Sequence, residues 1–191
     1  MNISNASHSS VPLGNEGSTN VLSLLKNVTT FVFDVDGVLT NGTILIMPNG
    51  LMARQMNIKD GYALQLAVKK NYHVAVISGG NSAEVKERMQ LLGVQDIYMR
   101  ITDKKTCLEE YMLVNNLRRE EVLFMGDDIP DYEVMRYAGV ASSPADAVQE
   151  IISIAHYISP LKGGEGCARD VIEKVMKLRG DWQVDTHIKS R

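Results

Sequence analysis

An α/β fold built on a mostly parallel sheet is predicted by three features of the chain. Short runs of β-branched, aromatic and aliphatic residues recur along it: Phe31-Val32-Phe33, His73-Val74-Ala75-Val76-Ile77, Asp96-Ile97-Tyr98-Met99 and Val122-Leu123-Phe124-Met125. Longer stretches with apolar residues at helical spacing separate them, the pattern of right-handed βαβ units whose strands are buried on both faces. Each run also leads to a polar group, respectively Asp34 and Asp36, Ser78, Lys104, and Asp127 with Asp128.

The elements follow in order. Residues 1 to 20 are rich in Ser, Asn and Gly, contain no Lys or Arg and lack the apolar stretch of a secretory signal, so a disordered leader is expected. One domain is then expected over residues 21 to 180. Phe31 to Phe33 form a strand whose acids emerge only at its carboxyl edge, where Gly37 lets the chain turn away. Gly42 to Ile58 read as a hairpin around Pro48-Asn49-Gly50. A two-stranded hairpin is marginal alone, and Ile44, Ile46, Met52 and Met56 stay partly exposed unless something covers them.

Tyr62, Leu64, Leu66, Ala67 and Val68 predict a helix over Gly61 to Lys70, with Asn71 as its stop. Asn81-Ser82-Ala83-Glu84 is a cap sequence, and Val85, Met89 and Leu92 form an inward stripe before Gly93. The helix from Asp103 to Val114 begins with Lys104 and Lys105, where the helix dipole disfavours cations; a bound anion would account for that placement, with Lys105 solvated. Pro144-Ala145-Asp146-Ala147-Val148 starts another helix, His156-Tyr157-Ile158 a short strand, and Val171, Val175 and Leu178 mark the last helix. Residues 181 to 191 form a polar tail that carries the only tryptophan, Trp182.

Composition narrows the class. With 191 residues, 45% of them hydrophobic, the chain can bury one substantial core and has little length for a second domain. A net charge of -3 points to neither nucleic acid nor an anionic membrane as partner. No apolar run reaches the roughly 20 residues that span a bilayer. Cys107 and Cys167 lack metal-ligand spacing and read as structural thiols of a reducing compartment. The four histidines form no triad or zinc pattern, and the ten methionines read as adaptable core and interface filler.

Strand ends of a parallel sheet converge on one crevice, so the acid pair, the hydroxyl, the lysine and the second acid pair are expected to meet. Two aspartates this close raise each other's proton affinity, which implies a divalent metal, a shared proton, or both.

Asp34-Val35-Asp36-Gly37-Val38-Leu39-Thr40, Ser78-Gly79, Lys104 and Gly126-Asp127-Asp128-x-x-Asp131, in that order, resemble the haloacid dehalogenase superfamily of phosphohydrolases over roughly residues 28 to 178. Gly37 to Gly42, Lys59-Asp60-Gly61 and Gly163-Gly164-Glu165-Gly166-Cys167-Ala168-Arg169-Asp170 are similar to its capless sugar-acid phosphatases, which act on 3-deoxy-D-manno-octulosonate 8-phosphate. Two departures bear on the sugar acid: Gly80 stands where that group has Arg after Ser-Gly or Thr-Gly, and Lys59 where it has Arg before Asp-Gly. Glu165 is a third position where substrate contacts can differ.

The resemblance implies a Rossmann-like three-layer α/β/α fold with a β-hairpin insertion and no cap domain. It implies Mg2+ held by Asp34, Asp36 (through its backbone carbonyl) and Asp127. Asp34 would be the nucleophile that forms an aspartyl phosphate, and Asp36 the general acid and then base. Ser78 and Gly79 would meet the phosphoryl group, Lys104 would offset its charge, and Lys59, Asp60 and Arg169 would serve the substrate. Asp128 and Asp131 could assist the metal or simply cap a helix, and Gly126 would permit close backbone approach. A homotetramer is implied too, in which four hairpins meet and Arg169 or the tail reaches a substrate carboxylate or the adjacent site. The implied setting is cytoplasmic synthesis of lipopolysaccharide precursor. Alternatives are a nine-carbon keto-sugar acid 9-phosphate of KDN or N-acylneuraminate type as substrate, a receiver-like domain, which the motif order opposes, and a silent binding subunit, which the complete set of catalytic groups opposes.

Overall fold

Residues 20–48 and 50–189 are described by the computed structural model of the chain. The expected leader therefore lies outside the described residues except for Asn20, as does the turn residue Asn49. Asn20 caps helix α1 (Val21–Asn27) by accepting the Leu22 N–H. Strand β1 (Thr30–Phe33) follows, buried at every position. A wound turn over Val35–Leu39 leads to the hairpin of β2 (Leu45–Ile46) and β3 (Met52–Ala53), closed at its base by pairing of Thr40 with Met56. The remainder alternates: α2 (Ile58–Lys69), β4 (His73–Ile77), α3 (Ala83–Leu91), β5 (Asp96–Tyr98), α4 (Lys104–Val114), β6 (Val122–Met125), α5 (Tyr132–Tyr137), β7 (Val140–Ser143), α6 (Gln149–Ile154), β8 (Tyr157–Ile158) and α7 (Cys167–Arg179).

Six strands form one parallel sheet in the order β5-β4-β1-β6-β7-β8. Period-two alternation splits their side chains between two cores. Phe31, Phe33, Val74, Val76, Leu123 and Met125 face the core shared with α1, α2, α3 and α7. Val32, Ala75, Ile77, Val122 and Phe124 face the core shared with α4, α5 and α6. This is the expected Rossmann-like three-layer α/β/α arrangement, and a hairpin, not a cap domain, occupies the insertion between β1 and α2. Because the chain leaves β1 towards β4 and β5 first and returns to β6 later, the strand order reverses at β1. That is where α/β sheets open a ligand crevice at their carboxyl edge.

Local chemistry sets the helix starts. Asn57 accepts the Lys59 N–H at 2.9 Å, so α2 begins at Ile58, earlier than Gly61; Ile58 is exposed and adds nothing to the apolar stripe. Ser82 and Asp103 cap α3 and α4 through the amides of Val85 and Thr106. The helix expected from Pro144 begins only at Gln149. The intervening residues tie loops together: the Val148 amide donates to the Asp127 carbonyl, and Asp146 accepts the Gly163 amide at 2.9 Å.

The polar tail folds back on its own chain. Asp181 accepts the Tyr72 hydroxyl at 2.6 Å, the Asp185 amide donates to the Tyr62 hydroxyl, and Lys69 pairs with Asp185. Trp182 packs edge-on against Tyr62 with ring centroids 6.1 Å apart.

Candidate active site

The carboxyl edge of β1 carries Asp34, whose amide continues the ladder by donating to the Met125 carbonyl of β6. The site grows outward from it. Lys104, at the first position of α4, is 5% exposed and lies 2.9 Å from Asp34 Oδ1 and 2.7 Å from Asp131 Oδ1. The other Asp131 oxygen accepts the Asp127 N–H at 3.1 Å. One oxygen from each of Asp34, Asp127 and Asp131 lies within 4.8 Å of the others.

Two glycines make this approach possible. Gly37 has φ +96°, and a Cβ there would sit 1.9 Å from Asp127 Oδ2. At Gly126 a Cβ would fall 2.4 Å from the Asp131 Cβ.

Electrostatics show what this cluster lacks. Burial, and then the charges of Asp34, Asp131 and Asp128, push Asp127 up to about 8. Burial and Asp131 raise Asp34 to about 6 against the pull of Lys104. Burial pulls the Lys104 ammonium down, but Asp34 and Asp131 together outweigh it and hold its pKa above the ordinary value. One ammonium cannot offset three carboxylates, and Asp127 Oδ1 is buried without a hydrogen-bond partner. An all-oxygen donor set short of positive charge fits a hard divalent cation such as magnesium.

Of the three predicted metal ligands, the carboxylates of Asp34 and Asp127 come together, joined by Asp131. The Asp36 carboxylate stands apart from that cluster. Arg54 of the hairpin grips it bidentately, Nε to Oδ1 at 2.7 Å and Nη2 to Oδ2 at 3.1 Å, and the Thr40 hydroxyl donates to Oδ1 at 3.3 Å. A metal role for Asp36 therefore rests on its main-chain carbonyl.

Ser78, 2% exposed at the end of β4, accepts the Gly80 N–H at 3.1 Å, and Gly79 is exposed beside it. Arg54 also walls a cavity of about 340 Å3 between β3 and α3, next to Ser82 and Arg88.

The residues expected to serve the substrate sit at the starts of α2 and α7. Lys59 is exposed there, over a hollow shared with Asn41, Met56, Asn57 and Glu165. Asp60 is 2% exposed and accepts the Arg169 N–H at 2.7 Å, so it is packed against α7 and not open to the crevice. Burial raises it to about 6. The Arg169 guanidinium pairs with Glu173 at 3.1 Å and stacks 5.6 Å from the Tyr62 and Trp182 rings, contacts within its own subunit. The Gly163-Gly164 run backs the β1 loop: the Gly164 amide and the Cys167 thiol both donate to the Val38 carbonyl.

The sequence leaves one residue of the site undecided and misses another. Asp131 is left between capping and ligation, yet it makes no side-chain cap; Asp128 does, accepting the Ile129 N–H at 2.8 Å. Arg54 carries no motif. Its one signal is the hairpin, which folds residue 54 back towards residue 36.

Residues 90–169 match the haloacid dehalogenase-like hydrolase family. The 3-deoxy-D-manno-octulosonate 8-phosphate phosphatase of Salmonella typhi is 31% identical over 163 residues, covering 85% of this chain and 87% of that protein. The crystal structure of the Yersinia pestis phosphatase of the same name superposes with a TM-score of 0.82 at 28% identity, over 84% of this chain and 87% of that one. The Moraxella catarrhalis phosphatase, solved with a magnesium ion, a phosphate ion and KDO, gives a TM-score of 0.82 at 28% identity, over 84% and 92% of the two chains.

Proposed function

The chain belongs to the haloacid dehalogenase-like hydrolases, and from that premise we propose that it is a magnesium-dependent phosphomonoesterase releasing phosphate from 3-deoxy-D-manno-octulosonate 8-phosphate. The observation that carries this reading is the cluster of Asp34, Asp127 and Asp131 around Lys104 at the carboxyl edge of β1. The activity named for the relatives supports the choice of substrate.

A phosphate monoester brings about two negative charges to three carboxylates, so phosphoryl transfer here is first a problem of charge. Asp34, Asp127 and the Asp36 carbonyl would hold Mg2+, which when bound supplies positive charge beside the phosphoryl oxygens. Asp34 attacks phosphorus while the bond to the sugar oxygen breaks. Asp36 gives its proton to the departing alkoxide, leaving an aspartyl phosphate. Asp36 then takes a proton from water as the water oxygen attacks phosphorus, and the Asp34 carboxylate is released together with inorganic phosphate. Lys104 keeps Asp34 in place, and Asp131 in turn holds both the Lys104 ammonium and the Asp127 amide.

The Ser78 hydroxyl and the Gly79 amide contact a phosphoryl oxygen. Lys59 and Arg169, which line one hollow at the starts of α2 and α7, would serve the sugar acid, and Asp60 would act through the position of Arg169. Exposed Leu45, Ile46, Met52 and Ile58 support a homotetramer joined through the hairpins. The setting of this reaction would be the cytoplasm, in lipopolysaccharide precursor synthesis. No helix among the described residues is long and apolar enough to cross a membrane.

Gly80 favours a second reading. Residue 80 presents no side chain beside Asp36 and Ser78, where the phosphatases it resembles carry Arg, so contacts to the sugar acid differ there and a nine-carbon keto-sugar acid 9-phosphate is the rival substrate. The deciding measurement is kcat/KM for both phosphates with and without magnesium. A large metal-dependent preference for the eight-carbon acid is expected; preference for a nine-carbon acid overturns the substrate but keeps the chemistry, and no turnover of either overturns both.

A further inference from the structure

Arg54 is the only cation whose side chain touches Asp36 among the described residues, and it comes from the hairpin, 18 residues away in sequence. All three of its guanidinium nitrogens are engaged: Nε and Nη2 on the two Asp36 oxygens, and Nη1 on the Met52 carbonyl at 3.1 Å. The side chain is 8% exposed, whereas that of Asp36 is 31% exposed. An aspartate this open has rotamer freedom to lose, and a planar fork removes it by defining the plane of the carboxylate, which a lysine point contact cannot do. Thr40, itself fully buried, donates its hydroxyl to Oδ1 of the same carboxylate and is tied to the hairpin base through Met56. At residue 80, a Cβ would lie 3.3 Å from Asp36 Oδ2 and 3.7 Å from Arg54 Nη2, so the absence of a side chain there keeps this contact uncrowded.

We propose that Arg54 is a positioning residue for Asp36 in the second half of the reaction. It fixes the carboxylate in the orientation that takes a proton from the attacking water. This inference rests on the acid-base reading of Asp36 given above. In that step a water O–H bond breaks as its oxygen bonds to phosphorus, the proton goes to Asp36, and the electron pair of the phosphorus–oxygen bond returns to Asp34. The fork and the Thr40 hydroxyl together engage both lone pairs of Oδ1, whereas Oδ2 meets only Arg54 Nη2 and keeps its second lone pair to accept the proton. A base must sit within about 2.6–3.2 Å of the atom that gives up its proton, so loss of orientation slows this step selectively. The hairpin, on this view, completes each subunit's own catalytic apparatus and is more than an assembly surface.

The test is stopped-flow turnover of p-nitrophenyl phosphate with saturating magnesium, comparing wild type, Arg54→Ala, Arg54→Lys, Asp36→Asn and the Asp36→Asn/Arg54→Ala double variant. Its aryl leaving group needs little help from an acid, so release of p-nitrophenolate reports the first half alone. Arg54→Ala is expected to release p-nitrophenolate in a burst approaching one per active site, followed by a steady state about tenfold to a hundredfold slower than wild type. Arg54→Lys should fall between the two, and it carries the test if the alanine variant does not fold. Asp36→Asn should show the same burst, and adding Arg54→Ala to it should change nothing further. Equal slowing of both phases in Arg54→Ala, or a further multiplicative loss in the double variant, overturns the inference. Absence of any burst or slowing in Asp36→Asn overturns the underlying reading of Asp36 instead.

Discussion

Asp127 shows how the site's chemistry is stored in single residues. Its pKa is pushed up to about 8 and that of Asp34 to about 6, both from 3.8. A carboxyl raised on folding stabilises the native state while protonated, and that stability is lost as pH rises from near 4 through the raised value. Metal-free protein should therefore lose stability continuously up to about pH 8. Magnesium replaces those protons, so the rise in Tm on adding it should be larger at pH 8 than at pH 5; equal rises would contradict the assignment of the cluster as its site. Lys104 is the fixed counterpart. Removing its ammonium in Lys104→Met leaves two buried acids without their partner, a loss of about 3–5 kcal/mol where a buried pair is broken. Urea denaturation at pH 8 without magnesium should show it, and added magnesium should recover part of it.

At the scale of elements, the joint between α2 and α7 hangs on Asp60. Its rise from 3.8 to about 6 corresponds to about 3 kcal/mol that the fold loses as pH climbs from about 4 to about 6. Asp60→Asn keeps an acceptor for the Arg169 amide and cannot ionise. The stability difference between the variant and the wild type should shift in the variant's favour across that window and stay level above it; a flat difference throughout would show that Asp60 is not penalised by burial. The hairpin is an element of another kind. Its two-residue strands cannot hold themselves in water, and Ile46 and Met52 are 72% and 50% exposed. If subunits meet there, Ile46→Asp should convert a tetramer to smaller species in light scattering; an unchanged mass would place the interface elsewhere.

Over the whole molecule, the tail acts as a strap along α2. It gives Tyr72 a carboxylate in Asp181, gives Tyr62 an amide in Asp185, and lays Trp182 against Tyr62 and Arg169. Deleting residues 181 to 191 should lower stability by about 2 kcal/mol, mainly from the bonds to Tyr72 and Tyr62 and one partly buried aromatic, the Lys69–Asp185 pair adding little because Lys69 is exposed. Turnover per folded subunit should change little if the strap only braces; a collapse in kcat with an intact melting transition would mean the tail serves a site directly.

What the sequence determined by itself was the parallel α/β sheet and the set of strand ends that face one crevice. Both follow from local pattern: all-buried strands, helical stripes between them, and polar residues where each strand stops. The cap at Ser82 was legible for the same reason, since a cap is a bond between residues two or three apart. Tertiary structure alone decided the rest. Whether Asp131 caps or joins the cluster depended on Lys104, 27 residues earlier, reaching it through the core. Asp60 was drawn into the α2–α7 joint by an amide 109 residues away. Arg54 met Asp36 only because the hairpin folds over the crevice, and Trp182 found a surface only once α2 and α7 lay side by side. Such contacts join distant segments through packing and charge, and no periodicity along the chain records them.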